Sequence, residues 1–179
     1  MYRNFISLFT FILLLTIATA CDGNRNNPED NNLADPKTGV LKDVEFLSSD
    51  SLMGRRTGTE GAKMAREYII QRFHSLNLKP LNDSYLHPFE NPLSGQIDNL
   101  DSSINLAGMI EGISKPEQYI LITAHYDHLG SEGGVIYNGA DDNASGVAGM
   151  LAAATHFSLN APAHSIIFVA FDAEEVGLA

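Results

Sequence analysis

Two long apolar runs constrain the fold of this chain more than any other feature. Residues 118–126 (QYILITAHY) and 165–171 (SIIFVAF) are nearly continuous in apolar residues rather than alternating. Strands of this kind are buried on both faces, as in the middle of a mostly parallel sheet. A further strand is predicted at residues 104–110, and residues 143–159 predict a helix whose small residues permit close packing on the sheet. The order strand, strand, helix, strand therefore predicts an α/β sandwich.

Upstream of these strands, the sequence predicts two helices. Apolar residues recur at helical spacing within residues 40–47, and a second apolar stripe runs through residues 64–76 over about four turns. Thr59 is a suitable N-cap for the second helix. Residues 48–61 between the helices form a turn-rich loop, and residues 78–92 predict strand with turns.

The first 39 residues predict export rather than a folded element. The apolar run at residues 5–18 is shorter than the roughly 20 residues of a membrane span, so residues 1–20 are interpreted as a signal peptide. Cys21 follows small residues and is the only cysteine, which predicts a lipoprotein anchored to a membrane and facing the periplasm or the cell exterior. The alternative is ordinary cleavage after Ala20 with an incidental cysteine. Residues 21–39 predict a flexible linker, and residues 40–179 the catalytic region.

Charge excludes one class of partner. The formal net charge is −11, and so acidic a chain repels phosphate backbones, so we expect no nucleic-acid partner. The acidity is compatible with carboxylates concentrated around metal ions, or with a contribution to solubility alone.

Acidic and histidine side chains cluster where the predicted strands end. His125 and Asp127 close the first long strand, an Asp-Asp pair at 141–142 lies at the mouth of the helix, and a Glu-Glu pair at 174–175 follows the second long strand. Sites in open α/β sheets form at the carboxyl ends of strands, so these groups are expected to meet. Because so many carboxylates repel one another unless cations offset their charge, we predict a pair of divalent cations there.

The residue types suggest a division of roles. His125 and Asp127 share one face of an extended chain, and a metal-binding histidine needs an acceptor for its other ring N–H. One carboxylate of the 141–142 pair, placed after the flexible Gly139, could bridge two cations. Of the adjacent glutamates at 174–175, one can bind metal while the other takes a proton from water.

Three segments also resemble a known family. The stretches ITAHYDHLG, NGADDNASG and FVAFDAEEVGL closely resemble zinc-dependent exopeptidases of the bacterial leucyl aminopeptidase type, and the upstream LKDVEFLSSDSLMGRRTGTEG is similar to that family's amino-terminal region. The resemblance covers residues 40–179. It implies a three-layer α/β sandwich of the phosphorylase/hydrolase-like zinc peptidase type with a mostly parallel central sheet, incomplete at its carboxyl end because the family's further Asp and His ligands would follow residue 179.

The resemblance implies a role for each site residue. His125 would bind the first zinc ion, Asp141 would bridge both ions and Glu175 would bind the second. Glu174 would be the general base, and Asp127 would orient His125. The family also places a cis peptide directly after the bridging aspartate, here Asp141.

The implied activity is hydrolysis of peptides by an aminopeptidase that uses a water between two Zn²⁺ ions. The alternatives are a related metallohydrolase, such as a carboxypeptidase or a glutaminyl-cyclase-like enzyme, or a non-catalytic binding domain. The chain is expected to be truncated, to bind zinc weakly and to hydrolyse nothing on its own. His128 matches no ligand position of the family. Arg55 and Arg56 either contact a substrate carboxylate or form surface ion pairs.

Overall fold

The computed structural model describes residues 36–96 and 103–177. The predicted signal peptide at 1–20 and the predicted lipidation site Cys21 lie outside the described residues, as does the linker up to residue 35. Residues 36–39, expected to be linker, instead form the first turn of a helix. Within the two described stretches, no helix combines the length and the apolar character needed to cross a membrane.

Three α-helices frame the described region: α1 at Pro36–Leu47, α2 at Glu60–Ser75 and α3 at Ser145–Leu159. The predicted start of α2 is confirmed, because the Thr59 hydroxyl accepts a hydrogen bond from the Ala62 N–H at 3.3 Å. Satisfying one free N–H of the first turn in this way stabilises a helix start by about 1 kcal/mol.

The strands of the described residues form a five-stranded sheet and a separate two-stranded hairpin. Their bounds are β1 Lys79–Pro80, β2 Leu86–Pro88, β3 Ile104–Ile110, β4 Lys115–His125, β5 Gly130–Glu132, β6 Val135–Tyr137 and β7 His164–Phe171. The strands expected at 104–110, 118–126 and 165–171 are therefore present, each within a few residues of its predicted ends.

The large sheet is mixed in direction. Its order is β1-β3-β7-β4, with β2 also paired to β3. β4 and β7 run parallel, with Ala124 opposite Ala170, whereas β3 runs antiparallel to β7, with Gly108 opposite Phe168. The α/β class is confirmed, but among the described strands β4 and β7 are the parallel pair, so the sheet is less parallel than the apolar runs predict. The three-layer arrangement stays a prediction.

The core lies between the helices and one face of the sheet. Apolar side chains of α2, α3, β3 and β7 are fully or almost fully buried there: Ile69, Phe73, Leu106, Val147, Leu151, Ile166 and Phe168. The expected close packing of small residues at the start of α3 is found at Ala144, which directly precedes the helix, and at Ala148, and both are buried. Gly149 does not take part, since a side chain at that position would meet open space.

Burial of β4 differs from expectation. β7 lies between β3 and β4, whereas β4 is an edge strand of the described sheet. Its residues Tyr119, Ile120 and Leu121 are 53%, 47% and 60% exposed. The prediction that this run is buried on both faces is thus wrong for the described region, where β4 pairs with β7 alone.

A buried ion pair ties the three helices together. Asp43 of α1 is 0% exposed and accepts hydrogen bonds from Arg72 Nε at 3.0 Å and from the Tyr68 hydroxyl at 2.5 Å. Arg72 also donates to the Thr155 hydroxyl of α3 at 3.5 Å. Burial raises the pKa of Asp43, and the hydrogen bond from Tyr68 and the charge of Arg72 oppose that rise.

Removing one partner of this pair should destabilise the fold strongly. We expect Asp43→Ala to lower the free energy of unfolding by about 3–5 kcal/mol, because it leaves a buried guanidinium without its counter-charge. Urea unfolding followed by circular dichroism measures the change. Glu111→Ala is the control, since it removes an ion pair with Lys79 in which both side chains are exposed, and it should not shift the unfolding midpoint. Equal midpoints for the two variants would contradict the assignment.

Candidate metal centre

The parallel pairing of β4 and β7 brings two polar segments side by side. Their register continues to His125 and Phe171, and the Tyr126 N–H then donates to the Phe171 carbonyl at 2.9 Å. The residues that follow each strand therefore leave the same edge of the sheet together. This placement is what the sequence predicts for strand ends that share an active site.

Asp127 holds the turn that carries both glutamates. Its carboxylate is buried and accepts hydrogen bonds from the backbone N–H groups of Glu174 at 3.1 Å and Glu175 at 3.2 Å. Ala173, with φ 63°, adopts the left-handed conformation that aims these N–H groups at Asp127. Nδ1 of His125 lies 3.2 Å from the backbone carbonyl oxygen of Asp127 and 3.6 Å from its carboxylate, on the side where an orienting acceptor would be needed.

A second buried carboxylate lies behind the first. Asp172 accepts hydrogen bonds from the hydroxyls of Tyr126 at 2.7 Å and Thr57 at 2.8 Å, and from the Ile104 N–H at 3.1 Å. Burial raises the pKa of Asp127 to about 6, helped by the negative charge of Asp172 and opposed by the backbone N–H groups. Two carboxylates are thus kept close together, each by several donors, next to the turn that carries both glutamates.

The structure brings Asp142, rather than the predicted Asp141, to the histidine. The distance from His125 Nε2 to Asp142 Oδ1 is 3.1 Å. Gly139, with φ 56°, reverses the chain, and Asp142 has extended backbone angles of −115° and 96° before α3 begins. Asp141 is exposed, and its carbonyl accepts a hydrogen bond from the Ser145 hydroxyl. The expected cis peptide is also one residue later than predicted, between Asp142 and Asn143.

His128 is a site residue that the sequence did not predict. Its Nδ1 lies 2.5 Å from Glu175 Oε1, and one ligand atom each from His128, Asp142 and Glu175 lie within 4.8 Å of one another. Gly139 allows its backbone to lie close to the His128 ring, because a Cβ at this position would be only 2.5 Å from that ring. His128 follows the end of β4, where the two-residue alternation no longer determines side-chain direction.

Asp142 lies between two sets of side chains that could bind metal. On one side lies His125, whose Nε2 is also 3.9 Å from Glu174 Oε2. On the other side lie His128 and Glu175. Imidazole nitrogens and carboxylate oxygens are the donors that zinc takes in catalytic sites, so the residues fit this metal. Of the predicted ligands, His125 and Glu175 lie in this cluster, together with Asp142 and His128, whereas Asp141 lies outside it.

The two arginines considered from the sequence have different environments. Arg56 is exposed, whereas Arg55 is 1% exposed. The guanidinium of Arg55 donates to backbone carbonyls behind the site. For Arg55, both a surface ion pair and contact with a substrate carboxylate are therefore wrong.

Comparison with known proteins identifies the matching family. Residues 105–179 match Peptidase family M28. The chain is also 30% identical over 142 residues to the alkaline phosphatase isozyme conversion protein of Escherichia coli (strain K12), an alignment that covers 69% of this chain and 39% of that protein. The chain thus spans about two fifths of the length of the curated relative.

Solved structures share the fold over about half of their own length. A glutaminyl cyclase of Tannerella forsythia is similar at 25% identity and a TM-score of 0.59, over 78% of this chain and 46% of that one. A Zn-dependent exopeptidase of Parabacteroides distasonis ATCC 8503 is similar at 21% identity and a TM-score of 0.58, over 82% and 47%. The range that matches Peptidase family M28, residues 105–179, contains both histidines, Asp142 and both glutamates of the candidate centre. The family resemblance expected from the sequence is confirmed.

Proposed function

We propose that this protein is a zinc-dependent aminopeptidase that removes amino-terminal residues from peptides. The observation that carries the proposal is the position of Asp142, 3.1 Å from Nε2 of His125 and within 4.8 Å of ligand atoms of His128 and Glu175. A carboxylate has two oxygens and no donor of its own, so one carboxylate can serve two cations. We therefore propose that the site would hold two zinc ions, for which His125, His128, Asp142 and Glu175 would be the ligands.

The residues of this chain have distinct tasks in that reaction. Zinc bound by the histidines, Asp142 and Glu175 would polarise the scissile carbonyl and lower the pKa of water toward neutrality. Glu174, which is partly exposed and lies near His125, takes a proton at its carboxylate and returns it to the leaving amine. Asp127 holds both glutamates by their backbone N–H groups, so the base and the ligand keep a fixed separation.

The charges around the site favour an amino-terminal substrate over a carboxyl-terminal one. Asp141 and Glu174 are carboxylates that bind no metal in this proposal and are at least partly exposed, so their negative charge attracts a protonated α-amine. A carboxypeptidase needs a cation for the terminal carboxylate of its substrate, and Arg55 is fully engaged with backbone carbonyls. A glutaminyl-cyclase-like reaction is the second candidate, favoured by the similarity to the Tannerella forsythia glutaminyl cyclase.

The assignment of Asp142 can be separated from that of its neighbour. We expect Asp142→Asn to weaken zinc binding by more than about 100-fold, because it removes a ligand and not merely a residue that orients one. Asp141→Asn is the matched control, with the same charge change one residue away, and should alter affinity by less than about threefold. Competition with a chromophoric chelator measures both affinities. A larger loss for Asp141→Asn would restore the original sequence prediction.

Glu174 should be needed for turnover but not for metal. Glu174→Gln keeps the size of the side chain and removes its basicity, so we expect peptidase kcat to fall by about 10²–10⁴-fold while zinc affinity is retained. The measurement uses protein expressed from its complete reading frame, with Glu117→Gln, an exposed glutamate on β4, as control. Turnover that survives the Glu174 change would rule out this residue as the base.

Substrate preference distinguishes the two candidate reactions. An aminopeptidase should hydrolyse aminoacyl anilides and lose activity when the α-amine is acetylated, because the acidic site binds the charged amine. A glutaminyl cyclase should release ammonia from peptides that begin with glutamine and leave their peptide bonds intact. Mass spectrometry of both substrate sets after incubation with the same preparation decides between the reactions. Hydrolysis of blocked and free peptides at equal rates would contradict both assignments.

A further inference from the structure

Arg55 has an environment unlike that of a surface or substrate-binding arginine. Its side chain is among the largest that are fully buried in the described region. Nε donates to the Tyr126 carbonyl at 2.9 Å, Nη1 to the Asn138 carbonyl at 2.7 Å and Nη2 to the Gly139 carbonyl at 3.0 Å. Nη1 also donates to the carbonyl of Leu47, at the end of α1. Each nitrogen of the guanidinium is thus bonded to backbone.

Three of these carbonyls, those of Tyr126, Asn138 and Gly139, belong to the two segments that carry the metal ligands. Tyr126 lies between His125 and Asp127 in the sequence, and Gly139 begins the turn that leads to Asp142. The backbone of Arg55 contributes as well, because its carbonyl accepts a hydrogen bond from the His128 N–H at 3.3 Å. A single residue therefore links the backbone of the histidine segment to the backbone of the aspartate segment.

Charge and geometry predict opposite effects of Arg55 on metal affinity. The guanidinium stays cationic at neutral pH: burial lowers its pKa to about 10, and Asp127, Asp142 and Glu175 oppose that change. A fixed positive charge near the site repels a zinc ion. The planar fork of donors, in contrast, fixes the spacing of the two segments. A substitution that keeps the charge and removes the fork separates the two effects.

We propose that Arg55 is a positioning residue that sets the spacing between the histidine segment at 125–128 and the aspartate segment at 138–142, and so preorganises the metal centre. Lysine in its place presents three donors at one point and cannot span carbonyls on separate segments. The inference rests on the proposed zinc site for its consequence in metal binding. The link between the two segments exists without metal.

Hydrogen exchange of the metal-free chain, read by mass spectrometry, tests that link directly. We expect Arg55→Lys to speed exchange about tenfold or more in peptides covering residues 125–128 and 138–144, relative to α2 of the same protein, because buried carbonyls lose their donors. Arg72→Lys is the matched control, a buried arginine paired with Asp43 at the helices, and should leave both segments unchanged. If Arg55→Lys does not fold, the uncharged Arg55→Gln replaces it, with the same expectation.

Zinc affinity and the visible spectrum of bound Co²⁺ form the second measurement. A positioning role predicts roughly 10–100-fold weaker zinc binding and an altered cobalt spectrum in Arg55→Lys, with neither change in Arg72→Lys. Wild-type affinity in the lysine variant, or unchanged exchange in both segments, would overturn the proposal and leave Arg55 as a local stabiliser or a charge. If the wild-type chain binds neither metal, the proposed zinc site fails, and the exchange data still decide whether Arg55 joins the segments.

Discussion

The carboxylate of Asp127 is the group on which the candidate centre depends. It lies two residues beyond His125 and accepts the N–H groups of Glu174 and Glu175, so one buried side chain connects the end of β4 to the turn after β7. Hydrogen bonds to a charged acceptor are stronger than neutral ones, and these are shielded from water. Without them, the glutamate turn would have no fixed relation to the histidines.

Burying two neighbouring carboxylates costs folding free energy. Asp127 and Asp172 lie close together inside the fold, and burial disfavours the charged form of Asp127. Donors from every side offset that cost, including the Thr57 hydroxyl and the Tyr126 hydroxyl, each bonded to Asp172. Ala173 is a non-glycine residue in the left-handed region, which is uncommon and concentrated at functional sites.

Most of the secondary structure could be predicted from the sequence, because the spacing of apolar residues indicates the helices and strands, and the Thr59 N-cap marks where α2 begins. The strands at 104–110 and 165–171 and the cap at Thr59 are examples. The clustering of acidic groups and histidine at one sheet edge also follows from strand ends alone.

The finer assignments could not be predicted in this way. Asp142 rather than Asp141 lies beside His125, because the backbone angles before α3, which sequence spacing does not specify, decide which neighbour faces the histidine. His128 lies beyond the end of a strand, where alternation gives no direction. The sequence did not predict the exposure of Leu121. An apolar run indicates that a strand favours burial, but it does not specify which helices or strands pack against it.

The order of strands in the sheet has a consequence for when the centre can form. β7 is the last of the described strands in the chain, yet it inserts between β3 and β4, which are made earlier. Until it arrives, those two strands have no common neighbour, and the residues they carry toward the site cannot be held together. The glutamate turn at 174–175 follows β7 directly. The same short stretch of chain therefore closes the sheet and supplies Glu175, so the contact between His128 and Glu175 forms only once β7 is in place.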